Sequence, residues 1–178
     1  MSAADASQRL FSTLNRVYLV LARILIGYLW YTQTLWKPPP HFGKIGADGG
    51  LWHFLKWEVE YPTFQWYKWF VEAVVMPHYT LFGYQVYFLE LAIAVSLGFG
   101  VLTRLGALAG TLMALNLLIG LYSVPYEWAW SYAMLALLCA GLLCGGAGRI
   151  AGIDALLLPR LRAAAPRHRL ARLLLWCM

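Results

Sequence analysis

Residues 81–122 read LFGYQVYFLELAIAVSLGFGVLTRLGALAGTLMALNLLIGLY, two long apolar runs that meet at Thr103-Arg104. An α-helix rises 1.5 Å per residue, so roughly 20 apolar residues cross a hydrocarbon core about 30 Å thick. The stretch therefore predicts a membrane hairpin of two helices, about Leu81 to Leu102 and about Leu105 to Tyr122. So short a connection makes the two helices antiparallel neighbours.

Working outward, a first apolar run from about Val17 to Trp36 stops at Lys37-Pro38-Pro39-Pro40, because proline donates no backbone hydrogen bond and restricts the residue before it. No small-residue cleavage site follows that run, so it reads as a retained helix. Beyond the hairpin, Pro125 interrupts the chain before a last run from about Trp128 to Cys144. The composition agrees. Of 178 residues, 61% are hydrophobic and 12% charged, and mean hydropathy is +0.61; soluble domains carry about 25% charged residues. The expected fold class is an all-α membrane protein, a bundle of four transmembrane helices. Residues 1–16 form an N-terminal segment, 17–146 the membrane domain with a long loop at 37–79, and 147–178 a basic tail. Little chain remains for a separate soluble catalytic domain.

Orientation follows from the arginines. Arg9 and Arg16 precede the first helix, Arg104 sits in the hairpin turn, and Arg149, Arg160, Arg162, Arg167, Arg169 and Arg172 follow the fourth. Four crossings put all of these on one side, which the positive-inside rule makes cytoplasmic, N-in and C-in; the expected location is the inner membrane of a prokaryote. The formal charge of +6 then records topology and does not point to nucleic acid. All four lysines fall in the long loop, where Asp48, Glu58, Glu60 and Glu72 balance them, so that loop can be exported.

The exported loop is unusually aromatic: Leu51 to Met76 reads LWHFLKWEVEYPTFQWYKWFVEAVVM. Trp66, Trp69, Phe70, Ala73 and Val74 recur at helical spacing, and Trp52, Trp57 and Tyr61 form a second piece ending at Pro62, which predicts two short interfacial helices. They either cap the bundle or wall a hydrophobic site that opens sideways to lipid, as a quinone requires. In the second case Tyr31, Lys37, Trp66, Trp69 and Trp130 are the candidate substrate-binding residues.

Charged side chains in hydrocarbon are costly and usually face a bundle interior or a functional cavity. Arg23 and Glu90 are the two such residues, separated in depth by roughly 9 Å, a gap a long arginine covers. Asn116 falls near the level of Glu90. A cluster of Arg23, Glu90 and Asn116 is thus expected either as a buried pair that fixes helix register or as proton-handling machinery. Gly27, Tyr31 and Thr34 continue the Arg23 face. Gly106-x-x-x-Gly110 and Gly141-x-x-x-Gly145 provide spacings for close helix approach. His41, His53, His78 and His168 all lie outside the helix interiors, which argues against an embedded haem and, with their wide spacing, against a metal site. Cys139, Cys144 and Cys177 form no CxxC relay.

With ARILIGYLWYTQTLWKPP, YFLELAIAVSLGFGVLTRLGALAG and EWAWSYAMLALLCAGLLCGGAGRIAGIDALL in view, the chain resembles the DoxX-like superfamily of small four-helix membrane proteins. The DoxD branch, the membrane subunit type of thiosulfate:quinone oxidoreductase, is the nearest likeness. Arg23, Lys37, Glu90, Arg104, Trp130, Tyr132 and the stretch from Gly148-Arg149 to Asp154 carry it. The aromatic loop and the tail PRLRAAAPRHRLARLLLWCM depart from that pattern, and the tail reads as an added amphipathic helix. The resemblance implies sulfur-linked electron transfer to a diffusible quinone, with a second protein subunit.

Two functional readings therefore stand: a subunit of a quinone-linked oxidoreductase, in which Glu90 handles protons, and a non-catalytic accessory subunit of a larger respiratory or photosynthetic membrane complex. Beyond the bilayer, the expected partners are another protein subunit and further copies of the chain.

Overall fold

The structure, a computed structural model, describes residues 3–178, with side chains from Asp5 onward. Eight α-helices follow one another: α1 (Ala3–Leu35), α2 (Gly50–Glu60), α3 (Gln65–Phe70), α4 (Tyr79–Phe99), α5 (Thr103–Leu121), α6 (Ala129–Gly145), α7 (Ile153–Ala164) and α8 (Arg169–Cys177). A π-helical turn at Val71–Val75 continues α3, and a short 3₁₀ turn, Ala147–Arg149, follows α6. No strand occurs among the described residues.

Three helices are long and apolar enough to cross a membrane: α1 over Asp5–Leu35, α4 and α5. The fourth, α6, is apolar but only 17 residues long. Together α1, α4, α5 and α6 form a ring, α1 packing on α4 and α6, and α5 on the same two helices. Ile26 and Trp30 of α1, Ile93 and Leu97 of α4, Ala107 and Ala114 of α5, and Cys139 and Leu142 of α6 meet at its centre.

Small residues set the closest approaches. A side chain at Gly27 would run into the backbone of Gly98, so α1 and α4 touch backbone to backbone there. Gly106 packs on Ser96 and Gly110 on Cys139, as the glycine spacing in α5 leads one to expect, whereas Gly141 has open space beside it.

The loop between α1 and α4 is a small structure of its own. Leu55 of α2, Tyr67 of α3 and Val71 and Val75 of the π turn form a second core, packed beneath by Tyr79, Phe82 and Ile119.

Several boundaries differ from the sequence reading. The first helix begins at Ala3, well before Val17. Residues 5–16 contain neither glycine nor proline, and Asp5 complements the positive end of the helix dipole. The tail is two helices, α7 with Pro159 inside it and α8, where one was expected. They pack on each other, and the Arg149 Nη2 group donates to the carbonyl of Leu175 at 2.6 Å, tying α8 to the bundle.

Candidate functional site

A cavity of about 470 Å³ lies beneath the loop helices. Its apolar walls include Leu51, Phe54 and Leu55 of α2, Phe70 and Val71, Phe82 and Val86 of α4, and Met113 and Leu117 of α5. Into it face Lys37, Glu58, Tyr67, Glu90, Asn116 and Tyr132, with Gln33 and Gln85 at its edge. Gln33 and Trp36 near the end of α1, Gln85 and Leu89 of α4, and Leu112 and Asn116 of α5 are among its exposed lining residues.

Lys37 Nζ lies 2.7 Å from Glu90 Oε1, and the two side chains are 4% and 1% exposed. Glu90 Oε2 is buried and has no hydrogen-bond partner among the described residues. The Tyr67 hydroxyl donates to Asn116 Oδ1 at 3.3 Å, and the Tyr132 hydroxyl donates to Glu127 Oε2 at 2.7 Å. Glu58 is 6% exposed, and no cation pairs with it among the described residues. Burial pushes its carboxyl up to about 8. Burial, together with the nearby Glu58 carboxyl, also raises the Tyr67 hydroxyl.

The expected cluster of Arg23, Glu90 and Asn116 is therefore only partly assembled. Glu90 and Asn116 share the cavity, but Arg23 lies elsewhere and Lys37 takes its place. The tilt of helical side chains toward the helix N-terminus explains both facts. From α1, Arg23 leans away from Glu90, whereas Glu90, on the antiparallel α4, leans toward the end of α1 where Lys37 stands.

Arg23 instead is 3% exposed and wedged against Gly100 and Gly152, where any Cβ would collide with its guanidinium. Its Nε and Nη1 lack hydrogen-bond partners among the described residues, and Asp154 is the carboxylate whose charge acts on it. Asp154 itself accepts hydrogen bonds from the backbone N–H groups of Leu102 at 2.8 Å and Thr103 at 2.9 Å, capping α5. That cap holds Leu102 at φ 49°, in the left-handed region uncommon outside glycine.

Of the five candidate binding residues, only Lys37 lines the cavity. Tyr31 (46% exposed), Trp66 (61%), Trp69 (65%) and Trp130 (58%) face outward. Their neighbours Trp30, Tyr67, Phe70 and Tyr132 point inward or line the site. The reason is the solvent: a face turned to lipid is as apolar as a face turned to the core, so hydrophobic spacing alone does not orient it. Glu58 was not singled out from the sequence, although a signal existed. Leu51, Leu55 and Glu58 stand at i, i+4 and i+7, which puts one acid on the apolar stripe of α2.

Compared with known protein families, curated proteins and solved structures, the chain matches none.

Proposed function

We propose that the chain is a four-crossing membrane protein, N-in and C-in in the inner membrane of a prokaryote, whose cavity takes a quinone from the lipid phase as part of a quinone-linked oxidoreductase. The cavity carries the proposal. Its volume lies within the 300–1,000 Å³ of small-molecule sites, and such sites combine apolar walls with a few placed polar groups. An amphipathic ring with oxygens at its edge suits that combination. The buried Glu90 Oε2, without a partner among the described residues, offers an acceptor to a hydroxyl of the reduced ligand, the quinol.

On this reading α6 is the fourth crossing, short but extended by its flanking turns. The loop helices α2 and α3 seal the cavity from the outer aqueous side. The residue pattern shared with the DoxX-like type makes a reduced sulfur compound such as thiosulfate the first electron donor to try, supplied through a partner subunit. Glu90, paired with Lys37, and Asn116 act at the ligand. Arg23 serves the fold.

The test is purification in gentle detergent followed by lipid extraction and mass spectrometry. Quinone at about one per chain supports the proposal; a preparation that retains none, and takes up none from quinone-loaded vesicles, overturns it.

One observation favours the accessory-subunit alternative. On α8, Leu170, Leu173 and Trp176 are exposed beside Arg169 and Arg172, an amphipathic face suited to a membrane surface or a neighbouring subunit. Removing Arg160 to Met178 should then release the chain from its complex. Unchanged co-purification would count against the tail as the docking element.

A further inference from the structure

We propose that Glu58, carried into the cavity by α2, is the acid that donates a hydrogen bond to a carbonyl oxygen of the bound quinone, so that binding requires its protonated form. This rests on the quinone reading above and adds to it the residue that recognises the oxidised headgroup.

The placement of Glu58 comes first. It lines the cavity and is nine-tenths buried. Its Oε1 sits so close over Gly120 of α5 that a Cβ there would collide with it, and the Tyr67 hydroxyl approaches the same glycine. The carboxyl is thus held between α2, α3 and α5 at the polar side of the cavity.

Its neighbours come next. The cation of the cavity, Lys37, is committed to Glu90. The cation of α2, Lys56, is committed to Asp48 on the exterior, as is His53. The remaining charged group of α2, Glu60, is exposed. From the other elements, the titratable groups around the cavity are Tyr67 on α3, Tyr79 and Glu90 on α4, Tyr132 on α6 with Glu127 before it, and Lys37 beyond α1. None of them supplies a positive charge to Glu58.

Chemistry then fixes the role. A carboxyl group keeps one O–H donor while protonated and becomes acceptor-only once ionised. A quinone presents acceptors only, so it is bound by the first form and repelled by the second. Glu90 is set apart by its partner: its Oε1 takes the Lys37 ammonium, which binds the carboxylate form, an acceptor only. Burial keeps the proton on Glu58 at neutral pH and lets it leave near pH 8.

The experiment uses the full chain in lipid nanodiscs, titrated with decylubiquinone and followed by quenching of tryptophan fluorescence. Between about pH 6.5 and about pH 9, wild-type affinity should fall about tenfold, because the site must take up one proton to bind. Glu58→Gln keeps a donor and cannot ionise, so it should bind equally at both pH values, near the wild-type affinity at the lower one. Glu58→Leu should bind weakly at both. Wild-type affinity that is flat with pH, or a Glu58→Gln protein that keeps the fall, overturns the inference while leaving the quinone site standing. A wild-type protein that binds no decylubiquinone at either pH removes the quinone reading, and the inference with it. Should the leucine variant fail to fold, the comparison of wild type with the glutamine variant decides alone.

Discussion

At one end of the bundle Arg23, Thr103 and Asp154 sit in closed packing between α1, the α4–α5 turn and the start of α7; at the other, Lys37, Glu90 and Glu58 border a cavity of about 470 Å³. Both clusters bring ionisable groups out of water, and both contain polar atoms without partners among the described residues. They differ in room. At the Arg23 end, glycines at 100, 148 and 152 clear only as much space as the guanidinium, Thr103 and Asp154 occupy. At the Lys37 end the apolar walls stand apart. A buried polar cluster with no void serves as a lock, and one with a void serves as a site.

The largest expected effect tests the lock. Asp154→Ala removes the acceptor for two backbone N–H groups and the charge that acts on Arg23. Hydrogen bonds to charged groups contribute ~1.5–3 kcal/mol each, so about 3–5 kcal/mol of stability should go. Thermal unfolding in detergent measures the loss, and the fraction that remains folded should bind decylubiquinone as the wild type does. A stable Asp154→Ala protein would erase the distinction between the two ends.

Next come the Lys37 and Glu90 substitutions. Lys37→Met leaves Glu90 buried without its cation and should cost ~3 kcal/mol, while Glu90→Gln, which leaves the lysine with a neutral partner, should cost ~1–2 kcal/mol. The double variant should be more stable than the sum of the two losses predicts, since each single variant leaves an uncompensated group. All three should retain less quinone. Quinone retention at the wild-type level in all three would make this pair a second lock.

A smaller effect separates close packing from open space. Gly120→Ala pushes a methyl group into the Glu58 carboxyl group and should cost ~1 kcal/mol together with some ligand affinity. Gly141→Ala, whose methyl group would meet no packed neighbour within 4 Å, should be neutral or stabilising by ~0.5–1 kcal/mol, because alanine is the better helix former. Equal effects at the two positions would contradict the placement of Glu58 over Gly120.

Much of this architecture is legible in the sequence, and the parts that are not share a cause. The two apolar runs of the hairpin form α4 and α5, although the turn falls at Gly100–Leu102 and Thr103-Arg104 already open α5, and the loop helices break at Pro62 as proline requires. What fails is the choice of inward face. Trp66 and Trp69 satisfy the helical spacing, yet Tyr67 and Val71 turn inward, because lipid and protein core select the same side chains. Polar residues carry the missing information: Glu58 marks the inner face of α2, and Glu90 marks that of α4. The pairing of Lys37 with Glu90 was within reach as well, because the N-terminal lean of side chains on antiparallel helices brings those two together and draws Arg23 away. The role of Asp154 was not, since nothing local tells an aspartate after α6 that it will cap α5.

The smallest effect concerns the rim, where α2 and the turn before it hold two acids in opposite circumstances. Glu58 faces the cavity, and its proton is retained by burial. Asp48, just ahead of α2, is half exposed, and the Gly49 N–H at 2.8 Å, followed by Lys56 Nζ at 3.0 Å, lowers its carboxyl to about 2. The two should respond to pH with opposite sign. The folded chain holds the Glu58 proton more tightly than the unfolded chain does, so stability should decline as pH rises from the ordinary carboxyl range toward about 8. Asp48 instead binds its proton less tightly when folded; its contribution is complete above the ordinary aspartate value and disappears as pH falls toward about 2. Solvent screens the Asp48 contacts, so this second effect should be slight. Unfolding temperatures followed from acid to alkaline pH resolve the two. Glu58→Gln should flatten the alkaline decline and leave the acid side unchanged, while Asp48→Asn should do the reverse with a much smaller amplitude. An alkaline decline that survives Glu58→Gln would mean that the ionising group lies elsewhere, and the division of α2 into a wet face and a buried one would need to be redrawn.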